Sequence, residues 1–131
     1  MVATVASWVV RLGGLVMIVL GLLFWTGHAL TLVSAHMTLG LLVVLALWVL
    51  AGIALQRGVS VGLVISAFVL GLVVIGFGMS QTSLMSGSTR AVVEIIRVVH
   101  LLLGLALISF GEIITGRLRR LDQGSKPVAA A

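Results

Sequence analysis

Cysteine is absent from the 131 residues, which excludes disulfides, iron–sulfur clusters and thiolate zinc sites. Proline occurs once, and aspartate and glutamate together occur three times. All charged residues make up 8% of the chain, whereas they make up about a quarter of an ordinary soluble domain. The sequence also contains no serine, histidine and acid set, no cluster of three metal ligands and no phosphate-binding loop, so a hydrolytic enzyme is not expected.

Most of what the chain does contain is apolar. Hydrophobic residues make up 61% of it and the mean hydropathy is +1.36, which predicts an integral membrane protein surrounded by a lipid bilayer. Sixteen glycines are typical of transmembrane helices that pack closely. The pI of 11.9 does not indicate binding to nucleic acid, because it rests on only eight basic residues. Most of these lie where helix ends are expected to meet the cytoplasm.

Four apolar stretches predict an all-α fold, an integral membrane four-helix bundle whose helices run antiparallel, up-down-up-down, in a single domain over residues 1–120. The second and third stretches contain no charged residue. The one polar loop is expected at 81–89, with Ser88 or Thr89 as the cap of the last helix. The predicted spans are about 8–26, 36–55, 59–79 and 91–116, and a loose cytoplasmic tail is expected over 121–131.

Arg11 interrupts the first apolar run, and its side chain is expected to snorkel to the membrane interface. The run continues to Trp25, which is longer than the core of a signal peptide and favours a span. Because four spans place both termini on one side, the positive-inside rule predicts cytoplasmic termini and external loops at 26–35 and 80–90. Six basic residues are expected on the cytoplasmic side and two outside: Arg11, Arg57, Arg117, Arg119, Arg120 and Lys126 against Arg90 and Arg97.

Two histidines share one spacing. His36 is followed by Gly40 and His100 by Gly104, so on a helix each imidazole lies one turn from a gap in the side-chain surface. The second and fourth spans both run from outside to inside, and the two histidines lie at the same shallow depth if the fourth span is counted from Val98. Since bis-imidazole ligation is a common way to hold haem iron, the pair predicts a metal site, with the glycines making room for the macrocycle. The simpler interpretation is that each imidazole hydrogen-bonds to a neighbouring helix.

Three further residues are candidates for contact with the cofactor. Arg97 lies one turn before His100 toward the outer surface, where Arg97, Arg90 and His28 are expected to meet the haem propionates. Arg97 and Arg90 can equally be interfacial residues, with Glu94 as a partner for Arg97. His28 can equally be an exposed residue at the end of the first span, or a proton acceptor in a quinol pocket.

Glu112 lies about one turn before the basic cluster that ends the last span. It is expected to pair with Arg117 or Arg57 at the membrane interface, and a role in proton transfer is the less favoured interpretation.

The placement of one histidine on the second and one on the fourth of four spans resembles the core of the cytochrome b family, and more loosely the small cytochrome b561-like and succinate dehydrogenase anchor proteins. The resemblance rests on His36-x-x-x-Gly40 and His100-x-x-x-Gly104 and covers most of the chain. Cytochrome b carries a second histidine farther along each of these helices, and this sequence does not. The resemblance therefore implies one haem b, held by His36 and His100 in the outer leaflet.

A single haem near one face cannot pass electrons across an apolar core of about 30 Å. The expected function is therefore electron exchange at the external face, with a membrane quinol or with the cofactor of a partner, as a subunit of a larger assembly that is part of a quinol-linked oxidoreductase. A bacterial inner membrane is the expected setting. The alternatives are a cofactor-free accessory subunit of a larger membrane complex and, less favoured, a chlorophyll-type pigment protein. A transporter is least favoured, because the spans offer few polar side chains.

Overall fold

The computed structural model describes residues 1–124, which form four long helices joined by three short connections. The first long helix consists of α1 (Val2–Trp8), a π-helical segment (Val9–Gly13) and α2 (Gly14–Trp25) without a break. A 3-10 turn (Leu30–Leu32) leads into α3 (Val33–Gln56), and α4 (Val61–Met85) and α5 (Arg90–Gly124) follow. The described residues contain no strand, so the all-α prediction is confirmed for them.

Each connection contains a glycine with a positive φ angle, a conformation that other residues rarely adopt. These are Gly27 (φ 79°), Gly58 (φ 78°) and Gly87 (φ 71°). The last connection ends at Thr89, whose Oγ1 accepts a hydrogen bond of 3.5 Å from the backbone N–H of Val92, as expected of a helix cap. The turns that the sequence predicted between the spans are therefore formed by these short segments.

Three predicted boundaries differ from the structure because helical hydrogen bonding continues past the apolar stretches. The first helix begins at Val2 rather than near residue 8. The polar segment predicted as a loop over 81–89 is helical up to Met85. The last helix runs to Gly124, so residues 121–124 of the predicted loose tail belong to α5, and residues 125–131 lie outside the described residues.

The first long helix runs antiparallel to α5. Val10 faces Gly111 and Gly14 faces Ile108, so residue numbers rise along the first long helix where they fall along α5. Arg57, in the turn after α3, binds Asp122 near the end of α5. Ala3, near the start of α1, lines a cleft together with Asp122. The first residues, the turn at 57–60 and the end of α5 therefore share one end of the bundle, which we call the basic end.

The closely packed core lies in the half of the bundle nearer the basic end. Its largest fully buried side chains are Leu47, Leu50, Ile114, Val10 and Val44. Glycines allow close approach of the helices here: a Cβ at Gly13 would lie 2.6 Å from Val43, and one at Gly14 would lie 2.5 Å from Ile108. Small residues at helix contacts are the usual device of membrane bundles, in which van der Waals packing drives association.

All four long helices are long and apolar enough to cross a membrane, with mean hydropathies of 2.1 to 2.6 over their most apolar windows. Their outer faces carry exposed aliphatic side chains, such as Leu15, Ile65, Leu72 and Leu102 at 56–61% exposure. So much apolar surface is compatible with a bilayer and suggests a multi-pass membrane protein.

Candidate functional site

The two candidate histidines come from separate helices and face each other. His36 lies in the first turn of α3, and His100 lies in the apolar middle of α5. Their ring centroids are 6.4 Å apart and the ring planes are inclined at 46°. The structure therefore brings together the two imidazoles that the sequence predicted would meet.

Helix geometry explains why the rings meet. His36 precedes Arg57 by 21 residues, and His100 precedes Asp122 by 22 residues. Because Arg57 and Asp122 bind each other, the rise of about 1.5 Å per residue places both histidines about 32 Å from the basic end. The depth match does not depend on where α5 begins, which resolves the choice between counting from Arg90 and from Val98.

Two phenylalanines flank the histidine pair. Phe24 contacts His36 edge-on with ring centroids 5.2 Å apart, and Phe77 stacks on His100 at 6.0 Å with the planes at 14°. Gly78 lets the ring of His100 approach α4, because a Cβ there would lie 3.3 Å from His100 Cε1. Sequence analysis did not single out Phe24 or Phe77. The available signal was that only four phenylalanines occur in a largely aliphatic chain.

Both imidazoles are half-buried, and each has a buried Nδ1 atom without a hydrogen-bond partner. A buried polar atom that lacks a partner costs about 1–3 kcal/mol. Such groups are rare in native structures and call for an explanation, of which a functional role is one. In a neutral imidazole the ring nitrogen without a hydrogen has a lone pair that can coordinate a metal.

The two glycines of the predicted motif have different surroundings. A Cβ at Gly104 would meet no atom within 4 Å, so the surface there is open. A Cβ at Gly40 would lie 3.0 Å from Cε of Met17, so the space beside Gly40 is taken by a side chain of α2. The shared spacing predicted an open surface beside both glycines, and the structure shows it beside Gly104 but not beside Gly40.

The polar residues expected near the cofactor lie at the histidine end, and two of them have local partners. Arg97 donates a hydrogen bond of 3.0 Å to Glu94, the partner considered from the sequence. His28 is exposed, and its Nδ1 lies 3.0 Å from Thr26 Oγ1. Arg90 is exposed at the first position of α5. A haem contact of these three residues stays a prediction.

The sequence predicted that Glu112 pairs with Arg117 or Arg57, and the structure shows a different partner. The Glu112 carboxylate accepts two hydrogen bonds from Arg11, of 2.5 Å to Nε and 2.7 Å to Nη2. Arg57 binds Asp122 instead. Arg11 lies within the first long helix, and its pair with Glu112 joins that helix to α5. The predicted pairing of Glu112 is wrong because it relied on closeness in the sequence, whereas the actual partner comes from an adjacent helix.

No group of three or more potential metal-ligating His, Cys, Asp or Glu residues occurs within residues 1–124. The sequence matches no protein-family model and no curated protein, and the structure matches no solved structure. The histidine pair is therefore the arrangement that carries the functional argument.

Proposed function

We propose that His36 and His100 hold one haem b between α3 and α5, and that the protein is a small membrane electron carrier. The observation that carries this proposal is the distance of 6.4 Å between the ring centroids. His36 and His100 would both hold one iron through a ring nitrogen each, because metal–nitrogen bonds near 2.0 Å are compatible with ring centres about 6 Å apart. The donor set therefore fits a haem.

The surroundings of the pair favour haem over a bare metal ion. With two imidazoles and no third metal-ligating side chain grouped with them in residues 1–124, a bare ion would depend on water for its remaining ligands. A haem would need no further ligand from the protein than His36 and His100. Phe24 and Phe77 would exclude water from the ligands, and the open surface at Gly104 would lie against the macrocycle.

When bound, haem b supplies one-electron exchange. The residues of the chain would orient it and adjust its potential. Arg97 and Arg90 lie on the outer side of His100 on α5, and we propose that they bind the propionates, with Arg97 exchanging its contact to Glu94 for one to a propionate. His28 is the third candidate for this contact.

The orientation proposed for the membrane places the basic end in the cytoplasm. Four arginines of the described residues lie at that end and two at the histidine end: Arg57, Arg117, Arg119 and Arg120 against Arg90 and Arg97. The rule that cytoplasmic loops carry the excess of basic residues then makes the histidine end external. We propose a bacterial inner membrane as the setting, with electron exchange at the external face with a quinol or with a cofactor of a larger complex.

An absorption spectrum of the purified full-length protein tests the proposal. We expect a Soret band that shifts on reduction, and its loss in His36→Ala and in His100→Ala. His28→Ala should keep the low-spin spectrum, whereas Arg97→Ala should shift the midpoint potential or lower haem retention. A protein that stays colourless after haem is supplied would overturn the proposal and would favour a cofactor-free accessory subunit.

Gly104 provides a matched control for the position of the macrocycle. Gly104→Leu should lower haem content severalfold without unfolding the helices, because no protein atom opposes a Cβ there. Gly116→Leu, on the same helix and also without a close neighbour, should leave haem content unchanged. Equal haem content in the two variants would contradict a macrocycle beside Gly104.

A further inference from the structure

A second polar assembly lies between α1 and α5, at the opposite end of the bundle from the histidines. A cleft of about 70 Å³ there is lined by Ala3 and Ser7 on one side and by Thr115, Arg119 and Asp122 on the other. Because Asp122 also binds Arg57, this cleft begins at the basic end. Its volume accommodates a few water molecules, each of which occupies about 30 Å³ in the liquid.

Two buried hydroxyl groups lie in the wall of the cleft on the side facing the middle of the bundle. Ser7 Oγ donates to the backbone carbonyl of Ala3 at 2.8 Å, which uses its single hydrogen. Thr115 must therefore be the donor in the 2.9 Å bond that joins Thr115 Oγ1 to Ser7 Oγ. The oxygen of Thr115 keeps acceptor lone pairs that cleft water can use.

The Arg11–Glu112 ion pair lies one helical turn beyond these hydroxyl groups. Arg11 follows Ser7 by four residues, and Glu112 precedes Thr115 by three. Glu112 is ten residues from Asp122 along α5, or about 15 Å, which is about half of an apolar core of about 30 Å. The protein does not seal the pair, since the side chain of Glu112 is 45% exposed and that of Arg11 is 25% exposed.

Charged residues at such a depth are costly and usually line a water-filled cavity or a proton path. Two cations interact electrostatically with the Glu112 carboxylate: Arg11 from the first helix and Arg119, two turns further along α5. The only ionisable side chain within α3 and α4 is His36, at the far end of α3, so these helices add no charge near Glu112.

We propose that the cleft is a water-filled access route by which a proton reaches Glu112 from the basic end, and that Glu112 is a proton-exchange site in the middle of the bundle. The proton passes from cleft water directly to the exposed carboxylate of Glu112, and the Thr115 and Ser7 hydroxyl groups position that water. The carboxylate becomes a neutral carboxylic acid, and Arg11 keeps its positive charge, which the same water hydrates. This proposal does not depend on haem binding.

Single cysteines test the access route, because the natural chain contains none. In oriented vesicles, Thr115→Cys and Ala3→Cys should react with a membrane-impermeant thiol reagent from the side that labels Gln123→Cys. They should not react from the side that labels Ser86→Cys. Ile113→Cys, at the depth of Glu112 but 46% exposed on an outer face, should react at least about tenfold more slowly. Cleft cysteines that react no faster than Ile113→Cys would overturn the route.

Carbodiimide labelling tests the exchange site, because the reagent attacks protonated carboxyl groups. In phosphatidylcholine vesicles, a hydrophobic carbodiimide should form an adduct on Glu112 of the full-length protein, detected by mass spectrometry, and faster at lower pH. Thr115→Val and Ser7→Ala should each slow labelling severalfold. Ser109→Ala is the matched control, because it removes an α5 hydroxyl that bonds only to the Leu105 carbonyl. An unlabelled Glu112, or equal rates in all variants, would overturn the proposal.

Discussion

The two halves of this bundle are packed differently although both consist of apolar helices. Around the basic end, Leu47, Leu50 and Ile114 have 0% exposure, and glycines bring the first helix, α3 and α5 close together. Around the histidines, in the ranges 15–42 and 72–106, Ile96 is the one buried residue among those described. One half thus contains a buried core, and the other leaves most of its side chains partly or fully exposed.

The comparison teaches that the closely packed contacts and the unpartnered imidazoles lie at different ends of the bundle. The packed half holds its helices by close contacts and by an interhelical ion pair between Arg11 and Glu112. The histidine half holds two imidazoles whose Nδ1 atoms have no partner, at a cost that the packed half offsets. Substitutions matched between the halves should therefore differ in their effect on the free energy of unfolding.

The largest difference is expected for two glycines of α4. A Cβ at Gly71 would lie 2.4 Å from Trp48 Nε1 and 2.8 Å from Val44 Cγ1, whereas one at Gly76 would meet nothing within 4 Å. Gly71→Leu should lower the free energy of unfolding by about 3 kcal/mol through overpacking. Gly76→Leu should change it by less than about 0.5 kcal/mol. Unfolding in mixed micelles, followed by circular dichroism, measures both, and similar values would show that the halves are packed alike.

A smaller difference is expected for two leucines. Leu47 is fully buried and Leu102 is 58% exposed. Leu47→Ala should lower the free energy of unfolding by about 2 kcal/mol. This value is at the low end for core substitutions, because in micelles the separated helices are surrounded by apolar chains rather than by water. Leu102→Ala should be almost neutral by the same unfolding measurement. A cost at Leu102 equal to that at Leu47 would mean that the histidine half has a packed core of its own.

The smallest difference is expected for the two ion pairs that Glu112 and Glu94 form. Glu112 joins two helices through two hydrogen bonds to Arg11, whereas Glu94 binds Arg97 within α5. Glu112→Gln should lower the free energy of unfolding by an amount between the ~0.5 kcal/mol typical of exposed ion pairs and the ~3 kcal/mol of buried ones. Glu94→Gln should cost no more than about 0.5 kcal/mol. Equal losses of stability would argue against a structural role of the Arg11–Glu112 pair between helices.

Much of the fold could be predicted from the sequence, because uninterrupted apolar runs with glycine-containing connections permit little besides helices. The helix ends were predicted less well. Residues 81–85 and 121–124 are polar yet helical, since backbone hydrogen bonding continues where hydropathy ends. The shared depth of His36 and His100 could be predicted because helical rise alone sets it.

Other parts of the candidate sites depend on how each helix is rotated and shifted against its neighbours. Phe24 and Phe77 flank the histidines, and Met17 occupies the space beside Gly40, through contacts between separate helices. Glu112 binds Arg11, which is 101 residues away in the chain. A sequence pattern gives the period of a helix, but it does not specify which face meets which neighbour.

The sequence by itself determined that this protein has four long apolar helices, with two histidines at one depth and an excess of basic residues at one end, because hydropathy and helical rise are properties of each segment alone. Only the tertiary structure decided that one half is closely packed and the other is open, that the two imidazoles face each other, and that Arg11 meets Glu112 halfway along the bundle. These features depend on the fit between side chains of different helices, and that fit exists only once the helices have associated.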